Sequence, residues 1–370
     1  MSAQRMSAQG TQNPQVSRAR AVSQGGAAPP TPQAPQGAPP TDSAPQPPQA
    51  APTPQPSCPL CPHACRLAEG QLGICGARAA CGSSVVSLNY GQTTALALDP
   101  VEKKPLAHFH PGSMVLSYGS FGCNLRCPFC QNSDIAQVRP EGGRLPALVA
   151  PVGDGVPDVP SPRHAAASDS AAALASAPVP TTPLTPEQLV ARALALRPRG
   201  NVGIAYTYNE PLVGYEFVLD TARLAHEAGL ANVLVTNGYV NEAPLKALLG
   251  HLDAANIDLK GFTQGFYDRV GAPRGLETVM RSIELAASHI HVEVTTLIVP
   301  GLNDDPAEID ALAQWLASVD PRIPLHLTRF HPAYRMPRTP PTPHETIRTL
   351  AAVAQHHLRR VHPSTGGLRW

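Results

Sequence analysis

The chain has 370 residues, a formal net charge of +1 and a hydrophobic content of 42%. The near-neutral charge argues against nucleic acid or an anionic membrane as a bulk electrostatic partner, and no apolar run approaches the ~18–20 residues of a membrane-spanning helix. The length allows one large or two ordinary domains with a sizeable core. However, 43 prolines are too many for a compact fold throughout, so they must be concentrated outside the core.

Two segments have the composition of disordered chain. Residues 1–57 consist mainly of Pro, Ala, Gln and Ser, without the apolar core of a secretory signal, and residues 138–183 are rich in Pro, Ala, Ser and Gly. Such segments cannot bury enough apolar surface to offset the entropy of ordering. We therefore predict a disordered tail and a disordered insertion, the insertion being either a tolerated surface loop or a lid.

A cysteine-rich segment follows the tail. Cys58, Cys61, Cys65 and Cys75 lie within eighteen residues, among turn-forming residues, which is typical of a tetrathiolate metal site. They predict a metal-binding module with its lead-in over 58–112, holding either zinc or an iron–sulfur cluster. Cys81 is interpreted as a spare thiol. Cysteines at metal-ligand spacing indicate a reducing compartment, so we expect a cytoplasmic protein.

The remaining elements alternate between strand and helix. Strands are predicted at 114–118, 203–207, 231–235, 253–259, 290–299 and 325–330, after a short strand pair within 85–98. Helices are predicted at 189–196, where Thr185 and Gln188 form a capping box, and at 212–227, 242–249, 276–287, 306–318 and 343–357. This order predicts an α/β fold with a parallel sheet and right-handed crossovers. About six β/α units favour a partial (βα)6 TIM-like barrel over 113–360, with an open doubly wound sheet as the alternative.

The most specific motif follows the strand predicted at 114–118. Cys123, Cys127 and Cys130 are separated by three and then two residues, and the aromatic Phe129 precedes the third cysteine. Three thiolates on one loop suit a 4Fe-4S cluster, because they bind three irons and leave the fourth open for chemistry. The alternatives are an oxidised cysteine set or a zinc knuckle, for which no obvious fourth ligand lies nearby.

Polar residues follow the carboxyl ends of the predicted strands, where (βα) barrels keep their active sites. They are Asn209 and Glu210, Asn237, Asp258 and Lys260, and finally His326, Arg329, His331 and Tyr334. Asp258 and Lys260 alternate along one strand and so face the same side. A buried ion pair without a ligand is costly, which favours a functional role for this pair. Each histidine is equally well explained as a packed or capping residue.

The three-cysteine motif resembles the signature of the radical S-adenosylmethionine (SAM) enzymes. The resemblance implies that Cys123, Cys127 and Cys130 bind a 4Fe-4S cluster whose fourth iron is chelated by SAM. Reductive cleavage of SAM then gives a 5′-deoxyadenosyl radical that abstracts hydrogen from a substrate. An electron donor such as flavodoxin or ferredoxin is implied as a partner. The competing class is a non-catalytic metal-binding scaffold, which predicts no SAM turnover.

The resemblance also implies residues that bind SAM. In radical SAM enzymes a Gly-Gly-Glu element contacts the SAM amino group, and Glu210 matches its acid although the glycines are absent; Asn209 precedes it. The alternative for Glu210 is a favourable charge at a helix N-terminus. Asn237 matches the Asn of an Asp-Thr-Asn-Gly element in which Val235 replaces the acid, and it is equally well a turn residue.

Residues 58 to about 357 resemble the radical SAM protein of the AmmeMemoRadiSam group, relatives of pyruvate formate-lyase activating enzymes. The strings that carry the resemblance are Cys58-x2-Cys61-Pro-His-x-Cys65, Glu102-Lys-Lys-Pro-Leu, Cys127-x2-Cys130-Gln-Asn, Tyr206-Thr-Tyr-Asn-Glu-Pro, Thr236-Asn-Gly-Tyr, Asp258-Leu-Lys-Gly and Arg329-Phe-His-Pro-Ala-Tyr. It implies cofactor-binding roles for Phe129, for Asp258 and Lys260, and for His326, which aligns with a histidine beside SAM.

Two substrate classes are compatible with this resemblance. The Asp258-x-Lys260 match favours an activase that installs a glycyl radical on a partner protein. The changed elements around Glu210 and Asn237 favour modification of a small molecule or another macromolecule. The group usually continues beyond the last helix with a strand and a cysteine-bearing tail, so residues 361–370 are expected to be an atypical, truncated or frame-shifted end.

Overall fold

The computed structural model describes residues 55–138 and 179–364. Most of the predicted tail, the centre of the predicted insertion and the last six residues lie outside these ranges. The strands are β1 (Arg78–Cys81), β2 (Ser84–Ser87), β3 (Gln92–Thr93), β4 (Ala95–Pro100), β5 (Met114–Gly119), β6 (Thr182–Pro183), β7 (Asn201–Tyr206), β8 (Ala231–Thr236), β9 (Ala254–Asp258), β10 (His291–Ile298), β11 (Leu325–Arg329) and β12 (Val361–Pro363).

The helices lie mainly between the later strands. They are α1 (Ser133–Ala136), α2 (Pro186–Ala195), α3 (Tyr215–Glu227), α4 (Glu242–Leu249), α5 (Gln264–Arg269), α6 (Gly275–Ala287), α7 (Pro306–Val319) and α8 (His344–Ala354). The capping box predicted for α2 is confirmed, since Gln188 N donates to Thr185 Oγ1 and Thr185 N donates to Gln188 Oε1. None of the helices in the described ranges is long and apolar enough to cross a membrane.

Among the described residues, the main sheet has eight strands in the order β12-β11-β10-β9-β8-β7-β5-β4. Neighbours from β5 to β12 are parallel, and β4 pairs antiparallel with β5 at the edge. The parallel strands follow the chain order without a reversal. A doubly wound sheet reverses its order at a switch point, so the partial barrel is confirmed and the alternative is wrong.

The two faces of this sheet differ in what covers them. The helices pack on the convex face, where the largest apolar cluster lies. On the concave face, Val115, Ala205 and Val233 pack against Val101 and Leu106 of the segment between β4 and β5. That segment fills part of the barrel interior, and the carboxyl ends of the strands carry the polar residues considered below.

Three predictions of elements are corrected. The strand pair within 85–98 is wrong, because Ser84–Ser87 pairs with β1 while Ala95–Pro100 joins the main sheet. The predicted insertion 138–183 is not disordered to its end, since Thr182–Pro183 pairs antiparallel with Gln92–Thr93. The segment after the last helix forms a seventh parallel strand, Val361–Pro363, beside β11.

Candidate functional site

The three-cysteine loop lies directly after β5, at the carboxyl end of that strand. Asn209, from the loop after β7, binds the backbone at the beginning of the three-cysteine loop. The Asn209 Oδ1 accepts from Ser120 N at 3.0 Å, and the Asn209 Nδ2 donates to the carbonyls of Phe121 and Gly122, each at 3.1 Å. Cys130 N donates to Cys127 O at 3.3 Å and closes a turn. Asn209 therefore positions the loop through its backbone.

The three thiols are free and held in a protected setting. Burial raises the pKa of all three, that of Cys127 to about 12. Thiolates at such a site need a positive partner or a metal. Two N–H groups lie near the Cys123 sulfur, Leu125 N at 3.4 Å and Asn237 Nδ2 at 3.6 Å. Three thiol donors with N–H groups aimed at sulfur fit an iron–sulfur cluster.

Asp258 and Lys260 lie together beside this loop. Lys260 Nζ is 2.8 Å from Asp258 Oδ2, and both side chains are partly buried. Burial opposes protonation of Lys260, but the negative charges of Asp258 and of the Cys127 and Cys123 thiolates outweigh it and raise the pKa of Lys260. The pair predicted from strand alternation is thus formed, and it supplies a fixed positive charge next to the cysteines.

Glu210 is almost fully buried, with 3% of its surface exposed. Its Oε1 accepts from Leu212 N at 3.1 Å and Thr236 Oγ1 at 2.7 Å, and its Oε2 accepts from Asn237 N at 2.8 Å. Burial raises the pKa of Glu210 to about 7, against these hydrogen bonds. The carboxylate caps the 3-10 turn that opens at residue 211, as the helix-terminus alternative predicts, and it also joins the ends of β7 and β8.

Asn237 is a turn residue, as one of its two alternatives predicts, and its side chain also contacts the cysteine loop. It lies in the turn after β8, where its Oδ1 accepts from Tyr239 N at 2.9 Å, and its Nδ2 reaches Asn124 Oδ1 at 2.9 Å as well as the Cys123 sulfur. Asn124 is buried and donates to Tyr239 O at 2.7 Å. Sequence reasoning missed Asn124, although its place directly after Cys123 was a signal.

His326 lies on the concave face in one layer with Asp258. Thr295 pairs in register with both residues, and His362 of β12 is the register partner of His326. The His326 ring Nε2 is 2.6 Å from Glu293 Oε2, so its partner is a buried carboxylate rather than a residue of the cysteine loop. Glu293 also contacts His291. The sequence signal for this group of side chains was a charged residue within an apolar strand.

Other predicted residues have packing or surface positions. Phe129 is buried, with its ring centroid 6.0 Å from that of Phe266, so it packs in the core. Arg329 donates to Thr342 O and contacts His344, and Tyr334 is exposed. The chain around Tyr334 reaches the cysteine loop, because the next residue donates its N–H to Pro128 O at 3.0 Å.

The structure brings the four N-terminal cysteines together as well. Cys58, Cys61, Cys65 and Cys75 line one pocket, and His63 stands at its edge with its Nε2 2.9 Å from Asn124 O. Within the described ranges, no three His, Cys, Asp or Glu side chains come close enough to hold one metal ion. The four thiols surround the pocket rather than meeting at a point.

Comparison with known proteins gives one family model and several relatives. Residues 118–316 match the family model described as the radical SAM superfamily. The chain is 38% identical over 293 residues to an uncharacterised protein of Methanocaldococcus jannaschii, covering 78% of this chain and 75% of that protein. It is 23% identical over 215 residues to the pyruvate formate-lyase-activating enzyme of Clostridium pasteurianum, covering 57% and 72%. A solved domain of that type of enzyme from Bacteroides vulgatus is 21% identical, with a TM-score of 0.38, covering 45% of this chain and 99% of that domain.

Proposed function

This chain belongs to the radical SAM superfamily, and we propose that it cleaves S-adenosylmethionine reductively with a 4Fe-4S cluster held by Cys123, Cys127 and Cys130. Members of the superfamily use that cluster and SAM. When bound and reduced by one electron, the two supply a 5′-deoxyadenosyl radical that abstracts hydrogen from a substrate. The single observation that carries the proposal is three free thiols on one loop at the end of β5, facing a lysine and an asparagine N–H.

The residues around the loop have distinct proposed tasks. Asn237 and the backbone of Leu125 donate to the Cys123 sulfur and stabilise negative charge there. Lys260 offsets the charge of the thiolates. Glu210 accepts a hydrogen bond from the backbone N–H of Asn237 and so acts as a positioning residue. The Glu210 carboxylate is also the acid that the family resemblance assigns to the SAM amino group.

The concave layer beyond the loop is the proposed site for the polar groups of SAM and substrate. Asp258 is a carboxylate at the carboxyl end of its strand that remains partly exposed, so it can accept from an ammonium group. His326 lies in the same layer, across Thr295. Phe129 supports the loop from the core side, and Asn209 holds its backbone.

The finer function that we propose is activation of a partner protein by installation of a glycyl radical, within the AmmeMemoRadiSam group. The Asp258-x-Lys260 element and the similarity to a pyruvate formate-lyase-activating enzyme support it. The substitution of Val235 for an acid and the loss of the glycines before Glu210 favour the second candidate, a different substrate. The electron donor is proposed to be a flavodoxin or ferredoxin.

The test is anaerobic reconstitution of the full chain with iron and sulfide, followed by reduction with dithionite in the presence of SAM. We expect methionine and 5′-deoxyadenosine in equal amounts, and none when dithionite is left out. A chain that holds its full iron content and forms no 5′-deoxyadenosine would instead be a metal-binding scaffold. If 5′-deoxyadenosine does form, a stable organic radical on an added glycyl-radical protein would identify the chain as an activase.

Replacing Lys260 by methionine is expected to make the cluster harder to reduce. Reduction adds negative charge, and the ammonium of Lys260 lies close enough to Cys127 and Cys123 for their thiolates to raise its pKa. We expect the midpoint potential to fall by about 60 mV, a tenfold change for one electron, in a redox titration followed by EPR.

The matched controls for this variant are Lys260→Arg, which keeps the charge, and Lys246→Met, which removes an exposed lysine on α4. Both should leave the potential within about 15 mV of the wild-type value, a small fraction of the shift for one tenfold change. Equal shifts for Lys260→Met and Lys260→Arg would show that geometry, not charge, sets the potential.

A further inference from the structure

The N-terminal cysteine segment encloses a pocket that the proposed SAM chemistry does not use. Cys58, Cys61, Cys65 and Cys75 all line this pocket. Cys58 N donates to Cys65 O at 3.0 Å and closes the first loop. A Cβ built at Gly73 would lie 3.8 Å from the sulfurs of both Cys65 and Cys75, so these two thiols converge on the same glycine.

The ligand set of the pocket and its position beside the three-cysteine loop favour an iron–sulfur cluster over zinc. All four candidate ligands are thiols, because the ring Nε2 of His63 is already engaged with Asn124 O. Four thiols suit either zinc or an iron–sulfur cluster. The hydrogen-bonded contact with the three-cysteine loop places them where a redox-active group can exchange electrons with that loop.

The pocket is joined to the three-cysteine loop by the backbone. Cys123 N donates to Cys75 O at 3.1 Å, so one candidate ligand of each set shares a hydrogen bond. Gly122 has a φ of +92°, and a Cβ there would lie 2.7 Å from Ala77 Cβ and 2.8 Å from Cys75 O. Only glycine allows the two segments to approach this closely.

A second link runs through side chains. Asn124 shares hydrogen bonds with His63 through its carbonyl and with Asn237 through its Oδ1, and Asn237 Nδ2 lies 3.6 Å from the Cys123 sulfur. At the outer end, Cys61 and Cys65 are partly exposed and Ile74 is exposed. In the three-cysteine loop, Cys123 and Cys130 are also partly exposed and Cys127 is buried. An electron donor at the surface therefore has access to the N-terminal cysteines, and the Cys75–Cys123 contact leads from them to the loop.

We propose that Cys58, Cys61, Cys65 and Cys75 bind a second 4Fe-4S cluster that relays electrons to the cluster at Cys123, Cys127 and Cys130. It accepts one electron from a low-potential donor protein of the ferredoxin class and passes it across the Cys75–Cys123 contact. No bond forms or breaks: the second cluster is oxidised as the first is reduced. The relay rests on the proposed function, because its electron acceptor is the proposed cluster at Cys123, Cys127 and Cys130. The presence of a second cluster at the N-terminal cysteines does not depend on that function.

The first experiment is iron, sulfide and zinc analysis of the reconstituted full chain. We expect about eight irons in the wild-type chain and about four in each of two variants, Cys58→Ala/Cys61→Ala and Cys123→Ala/Cys127→Ala/Cys130→Ala. The matched control is Cys81→Ala, which removes a cysteine outside both sets and should retain about eight. About four irons with one zinc in the wild-type chain would overturn the proposal.

The relay is tested with two reductants on the Cys58→Ala/Cys61→Ala variant. With dithionite, which is small enough to reach the buried cluster, 5′-deoxyadenosine formation should stay within about twofold of wild type, and with reduced ferredoxin it should fall at least about tenfold. If the variant forms 5′-deoxyadenosine as fast as wild type with reduced ferredoxin as well as with dithionite, the relay is overturned. If every chain holds its irons and forms no product, the SAM chemistry fails while the second cluster stands.

A measurement on the wild-type chain covers the case in which the double variant does not fold. The EPR spectrum of the dithionite-reduced protein should be broadened by spin coupling, because two reduced clusters would lie in adjacent, hydrogen-bonded segments. The spectrum of the Cys123→Ala/Cys127→Ala/Cys130→Ala variant should be that of one isolated cluster. An uncoupled single-cluster spectrum from the wild-type chain would overturn the proposal.

Discussion

Replacement of Cys127 by alanine is expected to abolish 5′-deoxyadenosine formation by the reconstituted chain, with a loss of at least about 1,000-fold, or about 4 kcal/mol in activation free energy. Cys127 is the most buried thiol of its loop, at 7% exposure, and Lys260 faces it. Two remaining thiols cannot hold a four-iron cluster with one open iron in a fixed orientation. The measurement is product formation with SAM and dithionite under anaerobic conditions.

The control for this prediction is Cys81→Ala, which removes one thiol outside both cysteine sets and should keep wild-type activity. Iron analysis separates the two proposals, because Cys127→Ala should lose about four irons and keep those at the N-terminal cysteines. Circular dichroism checks that the fold survives. Wild-type product from Cys127→Ala would refute the assignment of this loop as the cluster site.

The parts of the site that follow a local rule were predictable from the sequence. Cysteine spacing identified the loop, and strand alternation brought Asp258 and Lys260 together, because a period of two is fixed by the strand itself. The partners of Glu210 were not predictable in this way. Its carboxylate oxygens accept from Thr236 and Asn237, twenty-six and twenty-seven residues away at the end of the next strand and in the turn after it.

The same limit explains the errors in the fold. Alternation within 85–98 showed that strands form, but it carries no information on which strand pairs with which. Ser84–Ser87 pairs with the preceding strand, Arg78–Cys81, whereas Ala95–Pro100 pairs with Met114–Gly119 across an intervening segment. Pairing depends on contacts between distant residues, as does the short strand Val361–Pro363, which is stabilised by β11.

Glu293→Gln is expected to lower the free energy of unfolding by about 3 kcal/mol at pH 7. The Glu293 side chain has no exposed surface. Its carboxylate accepts from Ala107 N at 3.0 Å and His108 N at 2.7 Å, and the Nε2 atoms of His291 and His326 lie at 3.0 and 2.6 Å. A glutamine amide has one oxygen, so its NH2 group would face donors and leave them unpaired.

The pH dependence of this effect has a defined sign. Burial opposes ionisation of Glu293, but the hydrogen bonds from the two histidines and the two backbone N–H groups outweigh it and lower its pKa well below 4.5. Its contribution is therefore fully present above pH 4.5 and is lost as the pH falls toward the folded-state pKa. Burial also lowers the pKa of His108 and His362, so acid destabilises the chain below pH 6.5 with or without Glu293.

The difference between wild type and Glu293→Gln, both unfolded with urea at each pH, reports Glu293 together with its effect on the pKa of the neighbouring histidines. We expect this difference to be about 3 kcal/mol at pH 7 and smaller at pH 3.5. Glu345→Gln, which alters an exposed carboxylate paired with Arg348, should change the unfolding free energy by less than about 0.5 kcal/mol. A Glu293→Gln effect as small as that of Glu345→Gln would mean that the histidine layer holds its shape without this carboxylate. Glu293 holds His326 in the layer that contains Asp258. A large loss of unfolding free energy in Glu293→Gln would therefore show that the same side chains stabilise the barrel and arrange its proposed site.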